Sequence, residues 1–469
     1  MASTNSGRMQ CVVNNARVIT STQEYMANIG IRNGRFAALV DVSTDLEGET
    51  LIDAEARPVL PGIVDPHVHY TAKPTASFQD LVLSETRAGA AGGVTTQGIF
   101  MHYRDDPIRP WVAANAEVIN TRSMVDAAFH VLFTTTPIDI ESLATWAAHG
   151  VPSWKLSIGY KGPQAAGRSP INDGDVWEVM AAASKFAYPA MVMVHAENPD
   201  IMLKGRELVE RTGRQDMQSW NDTRPNFVEE ECMRMCLFLA KVTGCRLYIV
   251  HITIGEGVDL IENARREGIN VVAETCPQYL THNSEEPVPL LRDIPTLANV
   301  NPPLRDKRSN ERLWEGVRKG IIDTIGSDHA PSTLAEKGRD MWKAPMGLGN
   351  LSGMILPVML SEGVNKGRVS LQDVVRVCCE NPAKALGLHP KKGAISIGAD
   401  GDLVIVDLDQ EVEVTHKNLH SRCDWNIWEG WKFRGWPTHT ILRGELVYQE
   451  GRFLAEPGVG KFIPRTASK

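Results

Sequence analysis

Six residues of types able to build a metal site lie in or at the ends of apolar runs of this sequence. They are His67 and His69 in "GIVDPHVHYT", Lys155 in "SWKLSIGY", His195 in "MVMVHAEN", His251 in "RLYIVHIT" and Asp328 in "IIDTIGSDH". Side chains two apart on a strand share a face, so His67 and His69 can meet one ion together. Neutral imidazoles and a carboxylate suit zinc or a similar first-row divalent ion. Lysine is the odd member, because an ammonium repels a metal and has no lone pair to give. If its amine captured carbon dioxide, the resulting carbamate would offer two oxygens. Such a group could bridge two ions about 3.5–4 Å apart, as two-metal hydrolytic sites require. His67, His69 and Asp328 would then hold one ion, and His195 and His251 the other. A hydroxide shared between them would be the nucleophile, its proton affinity lowered by both charges. Taken singly, each residue also has an ordinary structural use. A histidine in an apolar strand can be a hydrogen-bonded core residue, Asp328 a helix cap or Asx turn, and Lys155 a paired or solvated cation.

Eight short β-rich runs must position these residues: "GIVDPHVH", "VTTQGIFM", "DAAFHVLFT", "SWKLSIG", "MVMVHAEN", "RLYIVHIT", "INVVAETCP" and "IIDTIGSDH". Between them lie connections long enough for parallel crossovers, including helical stretches such as "VWEVMAAASKF" and "EEECMRMCLFLAKVTG". The alternation predicts an α/β fold, a (β/α)8 TIM-like barrel over residues 59–392. A doubly wound open sheet would want a Gly-rich phosphate turn after its first strand, and none is present. Barrel active sites form at the C-terminal ends of the strands. Five of the six residues fall there, and Lys155 lies inside the fourth run. The two ends of the chain share another texture, short apolar runs broken by turns, as in "CVVNNARVI" and "THTILRGELVYQEGRF". Chain termini often lie close together, so residues 1–58 and 393–469 are expected to build one small β-sandwich domain.

Composition narrows the function classes. With 57 acidic against 49 basic residues the net charge is -8, which argues against a nucleic-acid binder. No stretch approaches the roughly 18 apolar residues of a membrane span, and "MASTNSGRMQ" has no apolar segment of a secretory signal. Eight cysteines without a CxxC pair form neither a disulfide framework nor a zinc ribbon, so a reducing, cytoplasmic setting is expected.

"DPHVH", "SWKLSIGY", "VHAEN", "YIVHIT", "AETCPQYL", "NPPLR" and "GSDHAP" resemble the cyclic amidohydrolases: dihydropyrimidinase and hydantoinase, allantoinase and dihydroorotase. "NPAKALGL" followed by "GADGDLVIVD" is similar to that family's return to its small β-domain. The resemblance implies an N6-carboxylated Lys155 bridging two zinc-like ions, the other ligands divided as above, and a small cyclic amide substrate. It gives Asp328 a second role, taking the nucleophile's proton and passing it to the leaving nitrogen. It also implies a homotetramer or homodimer. Some relatives have lost the ligands and serve as scaffolds, but all six are present here.

Within the family, Thr71 stands where dihydroorotases carry the arginine that binds a substrate carboxylate, which counts against that activity. Tyr160 follows Lys155 by five residues, as in dihydropyrimidinases and many hydantoinases, whose tyrosine donates to the substrate carbonyl. "AETCPQYL" followed by "NPPLR" is also closest to hydantoinases, and the backbone at Asn301, a position usually Ser, is expected to read the ring. Met346 in "DMWKAPMGLGN" occupies another ring-contact position, usually Asn. "SEGVNKGRVSLQDVVRV" and "KGRDMWKA" look as much like allantoinases and L-selective hydantoinases. His102 and Arg104 in "MHYRDDP" lie where a polar substituent would be met, or are solvated loop residues. His329 is expected to orient the site from behind, and His282 has no functional argument. "CDWNIWEGWKFRGW" (423–436) is either a subunit contact or a loop packed on the chain's own barrel. The leading function is a binuclear metal-dependent hydrolase opening a hydantoin- or dihydropyrimidine-type ring. An allantoinase or other ureide hydrolase and a silent scaffold are the alternatives.

Overall fold

A computed structural model describes residues 8–70, 76–102, 107–134, 136–161 and 170–467. The first five strands are β1 (Met9–Ile19), β2 (Glu24–Arg32), β3 (Arg35–Val40), β4 (Gly48–Asp53) and β5 (Pro58–Pro61). The barrel follows with β6 (Ile63–His69), β7 (Val94–His102), β8 (Asp126–Phe133), β9 (Ser153–Ser157), β10 (Met191–His195), β11 (Leu247–Ile249), β12 (Val271–Thr275) and β13 (Thr324–Ile325). Every neighbouring pair from β6 to β13 is parallel. Strands of such a sheet are covered on both faces, so they read as nearly continuous apolar runs, and all eight residues of β8 are buried. Helices complete the crossovers, among them Asp173–Ala183 and Asn226–Thr243 in the stretches that read as helical. The first begins in a capping box between Asn172 and Asp175, and the second stops at Gly244, whose φ of 71° an L side chain rarely adopts.

Closure of the barrel sets up the site. Beyond the short β13 the chain keeps running alongside β6, with a parallel bridge between Val68 and His329. The Asp328 amide donates to the His67 carbonyl at 2.9 Å and the His69 amide to the His329 carbonyl at 2.7 Å. The seam between the last and first strands thus brings residue 328 beside residues 67 and 69.

The termini share a second, mixed sheet. Strands β14 (Leu403–Glu413), β15 (Lys432–Leu442), β16 (Glu445–Gln449) and β17 (Arg452–Phe453) join β1, β2, β3 and β5 in the order β17-β16-β15-β14-β5-β1-β2-β3, with β4 beside β1. The two halves meet where β14 runs antiparallel to β5, and one buried cluster including Val13, Ile29, Leu403, Ile405 and Ile441 serves both. The last residues leave this sheet and return to the barrel. The Ala127 amide donates to the Lys461 carbonyl, and the Ile463 amide to the Ala127 carbonyl. Among the described residues no helix is long and apolar enough to cross a membrane.

The Trp-rich segment packs on the chain's own barrel. Trp425 and Trp428 are buried, and their indole N–H groups donate to the Ser332 carbonyl and the Thr281 hydroxyl. His282 stacks on Trp431 and its Nε2 lies 3.0 Å from the Ile427 carbonyl, a structural role.

Candidate active site

Two groups of side chains meet at the C-terminal mouth of the barrel. In the first, His67 Nε2 lies 3.1 Å from His69 Nε2, and Asp328 Oδ1 lies 3.1 and 3.3 Å from those two nitrogens. In the second, His195 Nδ1 faces His251 Nε2 at 2.9 Å. The His67 and His251 rings stack with centroids 5.6 Å apart, so the groups adjoin. Lys155, central in β9 and buried, points its Nζ over the Phe100 ring at 4.7 Å. Among the described residues it pairs with no carboxylate. His251 and Asp328 both lie past the ends of their strands with positive φ, 39° and 53°. A non-glycine residue held there costs energy, and the surrounding structure has to impose it.

Electrostatics favours lone pairs over protons at His69, His251, Asp328 and Lys155, though not at His67. Burial lowers the pKa of His69 to about 4 and that of His251 well below the ordinary imidazole value. Burial also pulls on His67, but Glu274 and Asp328 outweigh it and leave its pKa raised. Desolvation raises the pKa of Asp328, yet His67, His69 and His251 together hold it well below the carboxylate range. Burial lowers Lys155 to about 8, so near neutral pH part of it is the neutral amine, the form that adds carbon dioxide. Three lone-pair atoms from His67, His69 and Asp328 lie within 4.8 Å of one another, and two mutually facing imidazoles stand next to them. That donor set fits divalent metal ions.

Carboxylates behind the site hold the rings. Glu274 Oε1 accepts from His67 Nδ1 at 2.7 Å and from the His251 amide at 3.0 Å, and its Oε2 accepts from the Tyr248 hydroxyl at 2.7 Å. Glu197 lies 2.8 Å from His195 Nε2, which turns Nδ1 toward His251. Asp65 accepts from the Ser327 amide and hydroxyl and the Ser352 hydroxyl, and so fixes the turn before Asp328. Sequence reasoning gave Glu274, Glu197 and Asp65 no role. The available signal was a carboxylate inside a buried strand or two residues from a candidate ligand, since such a group must be partnered.

Tyr160 sits half-buried at the rim, its ring 5.5 Å from that of His195, and burial raises the pKa of its hydroxyl, so it stays a donor. The Asn301 amide partly offsets that rise, and its Nδ2 donates to Met346 Sδ at 2.7 Å. Tyr160, Asn301 and Met346 therefore form one wall beside the histidines. The His329 ring is buried on the seam, with Nε2 2.8 Å from Glu85 and Nδ1 accepting from the Leu351 amide, while its carbonyl accepts from the His69 amide. His102 is the half-buried last residue of β7. Thr71 and Arg104 lie outside the described residues.

Comparison with known proteins agrees with this architecture. Residues 227–447 match the model of the amidohydrolase family. An L-hydantoinase of Paenarthrobacter aurescens is 32% identical, with 97% of this chain and 98% of that protein aligned. An allantoinase of Bacillus licheniformis is also 32% identical, over 97% of this chain and 99% of that one. The solved structure of a D-hydantoinase from a Bacillus species superposes with a TM-score of 0.90 at 29% identity, covering 98% of this chain and 100% of that one. With a parallel eight-stranded barrel, a second sheet shared by both termini and relatives aligned along nearly their whole length, this chain belongs to the hydantoinase and dihydropyrimidinase group of the amidohydrolase family and is a cyclic amide hydrolase.

Proposed function

We propose that the chain opens hydantoin or dihydropyrimidine rings with two divalent ions, zinc by donor type. His67, His69 and Asp328 would hold one, His195 and His251 the other, and Lys155, as its carbamate, would supply oxygen ligands to both. When bound, the ions supply an acidified water and a polarised carbonyl. The remaining steps belong to the chain's own side chains. Ionised Asp328 takes the proton of the attacking water and returns it to the ring nitrogen as the C–N bond breaks. The products are a carboxylate and a ureido group on one open chain. Tyr160 donates its hydroxyl to the carbonyl oxygen as negative charge grows there. Backbone groups at Asn301 and Met346 hold the ring against this wall. The observation that carries the reading is the Tyr160–Asn301–Met346 wall set against the two facing donor groups.

The second reading is an allantoinase, favoured by the allantoinase at 32% identity. Metal content measured together with turnover of hydantoin, dihydrouracil, allantoin and dihydroorotate separates the two. The expected outcome is near two ions per chain and turnover of the first two rings. Turnover of allantoin alone overturns the hydantoin reading. Tyr160→Phe should cost about 10²–10³ in kcat, the usual weight of one oxyanion donor. A small effect on every ring removes the role given to Tyr160.

A cytoplasmic homotetramer or homodimer completes the proposal. Two neighbouring helices, Asp173–Ala183 and Asn226–Thr243, expose Trp177, Phe238 and Val242 and supply an apolar face for such a contact.

A further inference from the structure

The wall that meets the ring is built from two segments far apart in sequence, and one buried cation ties them together. Lys337 ends the short helix Leu334–Lys337 and is 1% exposed. Its Nζ donates to the carbonyls of Asn299 at 3.3 Å, Pro345 at 2.7 Å and Gly347 at 2.6 Å. Pro345 and Gly347 flank Met346, and Asn299 stands two residues before Asn301. The ammonium also lies 5.7 Å from the centre of the Trp425 ring, so the buried Trp-rich segment backs it. Further bonds run the same way. The Gly347 amide donates to the Asn299 carbonyl at 3.0 Å, and Asn299 Nδ2 donates to the Met341 carbonyl at 3.0 Å. Gly347 itself has φ 96°, and a Cβ there would lie 2.6 Å from that of Ala330, so only glycine lets the chain pass this close to Ala330.

The structure assigns Lys337 as the positioning residue of the substrate pocket: its ammonium clamps Pro345 and Gly347 to Asn299 and thereby sets Met346 against Asn301. This rests on the ring-opening reading above and adds to it the group that fixes pocket shape. An ammonium is suited to the task because it offers three donors and tolerates carbonyl oxygens on several sides. The backbone groups at Asn301 and Met346, unlike the Tyr160 hydroxyl, contact the ring in ground state and transition state alike. Loosening them therefore raises KM more than it lowers kcat.

Lys337→Met keeps the length of the side chain and removes its donors. Hydrogen exchange of peptides spanning 338–348, read without substrate, should speed up about 10-fold or more, as expected for a segment released to local opening. KM for the preferred ring should rise about 10-fold with kcat within about 3-fold, and metal content should stay that of the wild type. Unchanged exchange in 338–348 overturns the clamp. Faster exchange with an unchanged KM makes Lys337 a stabilising cation only and overturns its role in the pocket. Should Lys337→Met fail to fold, Lys337→Gln, which keeps one amide donor, carries the same test with smaller shifts of the same sign. A wild-type chain that opens none of the rings removes the underlying reading, and is told apart from failure of the clamp because exchange needs no substrate.

Discussion

Two buried lysines sit at different ends of the same barrel and are treated in opposite ways. Lys392 meets Asp126, the first residue of β8, at 2.5 Å, Asp402 at 2.7 Å and Asp400 at 3.0 Å. Arg443 pairs with Asp126 from the other side. Burial alone would lower the pKa of Lys392, but Asp402, Asp126 and Asp400 outweigh it and raise it. Lys155, by contrast, faces an aromatic ring and has its pKa lowered to about 8 by burial. The three aspartates have metal-ligand spacing just as His67, His69 and Asp328 do. What separates the two clusters is the occupant. An ammonium already neutralises the aspartates, whereas at the mouth the donors face one another. Spacing of ligand types is thus a weak signal until the nearest cation is located.

The largest effect should come from Lys155→Ala. If Lys155 bridges two ions, the variant should hold fewer than two per chain and lose about 10⁴ or more in turnover, because both ions act on the same reacting atoms. Elemental analysis of the purified variant beside its kcat checks this. A variant with two ions and wild-type turnover would make Lys155 an ordinary core lysine and erase the contrast.

Lys392→Met should behave in reverse. Removing one partner of a buried ion network costs about 3–5 kcal/mol, since uncompensated charge stays behind. The thermal midpoint should fall while metal content and kcat of the folded fraction hold. The loss should be greater at pH 8 than at pH 5. The pKa of Asp402 is already raised, by burial and then by Asp126, and deleting the ammonium raises it further. A carboxyl with a folded pKa above its unfolded value binds more protons in the folded state, so stability falls as pH rises through that value. A loss independent of pH would mean that the aspartates are not repelling one another.

Much of this contrast was legible in the sequence at one end of the barrel only. Each quoted apolar run contains a barrel strand, because strands buried on both faces leave a continuous apolar signature, and the six candidate residues converge as their places on those runs imply. Local pattern does not carry partners distant in sequence. Glu274 meets His67 across 207 residues, and Asp126 meets Lys392 across 266. The left-handed backbone at His251 and Asp328 was barely legible either: His and Asp enter that region more often than most side chains, but only in a minority of their occurrences. For the Trp-rich segment, apolar content announced burial but could not say whether another subunit or this barrel provided it.

Glu274→Gln should produce the smallest shift and sharpens the comparison most, because it alters charge with little change of shape. The amide oxygen can still accept from His67 Nδ1 and the His251 amide. The new NH₂ group can donate to Tyr248, whose own hydroxyl turns to Thr324 Oγ1, 2.7 Å away. What disappears is the negative charge that makes the His67 imidazole more basic. Outer partners of this kind are worth about 10–100-fold in metal affinity. Competition with a chelator should show one ion leaving the variant that much more readily, while the metal-free protein melts where the wild type does. Lys392→Met should give the opposite pair of results, a lower melting point and unaltered metal retention. If both variants lowered melting and metal affinity together, the two ends of the barrel would be one cooperative unit, and the division between a charge-neutralised base and a donor-rich mouth would fail.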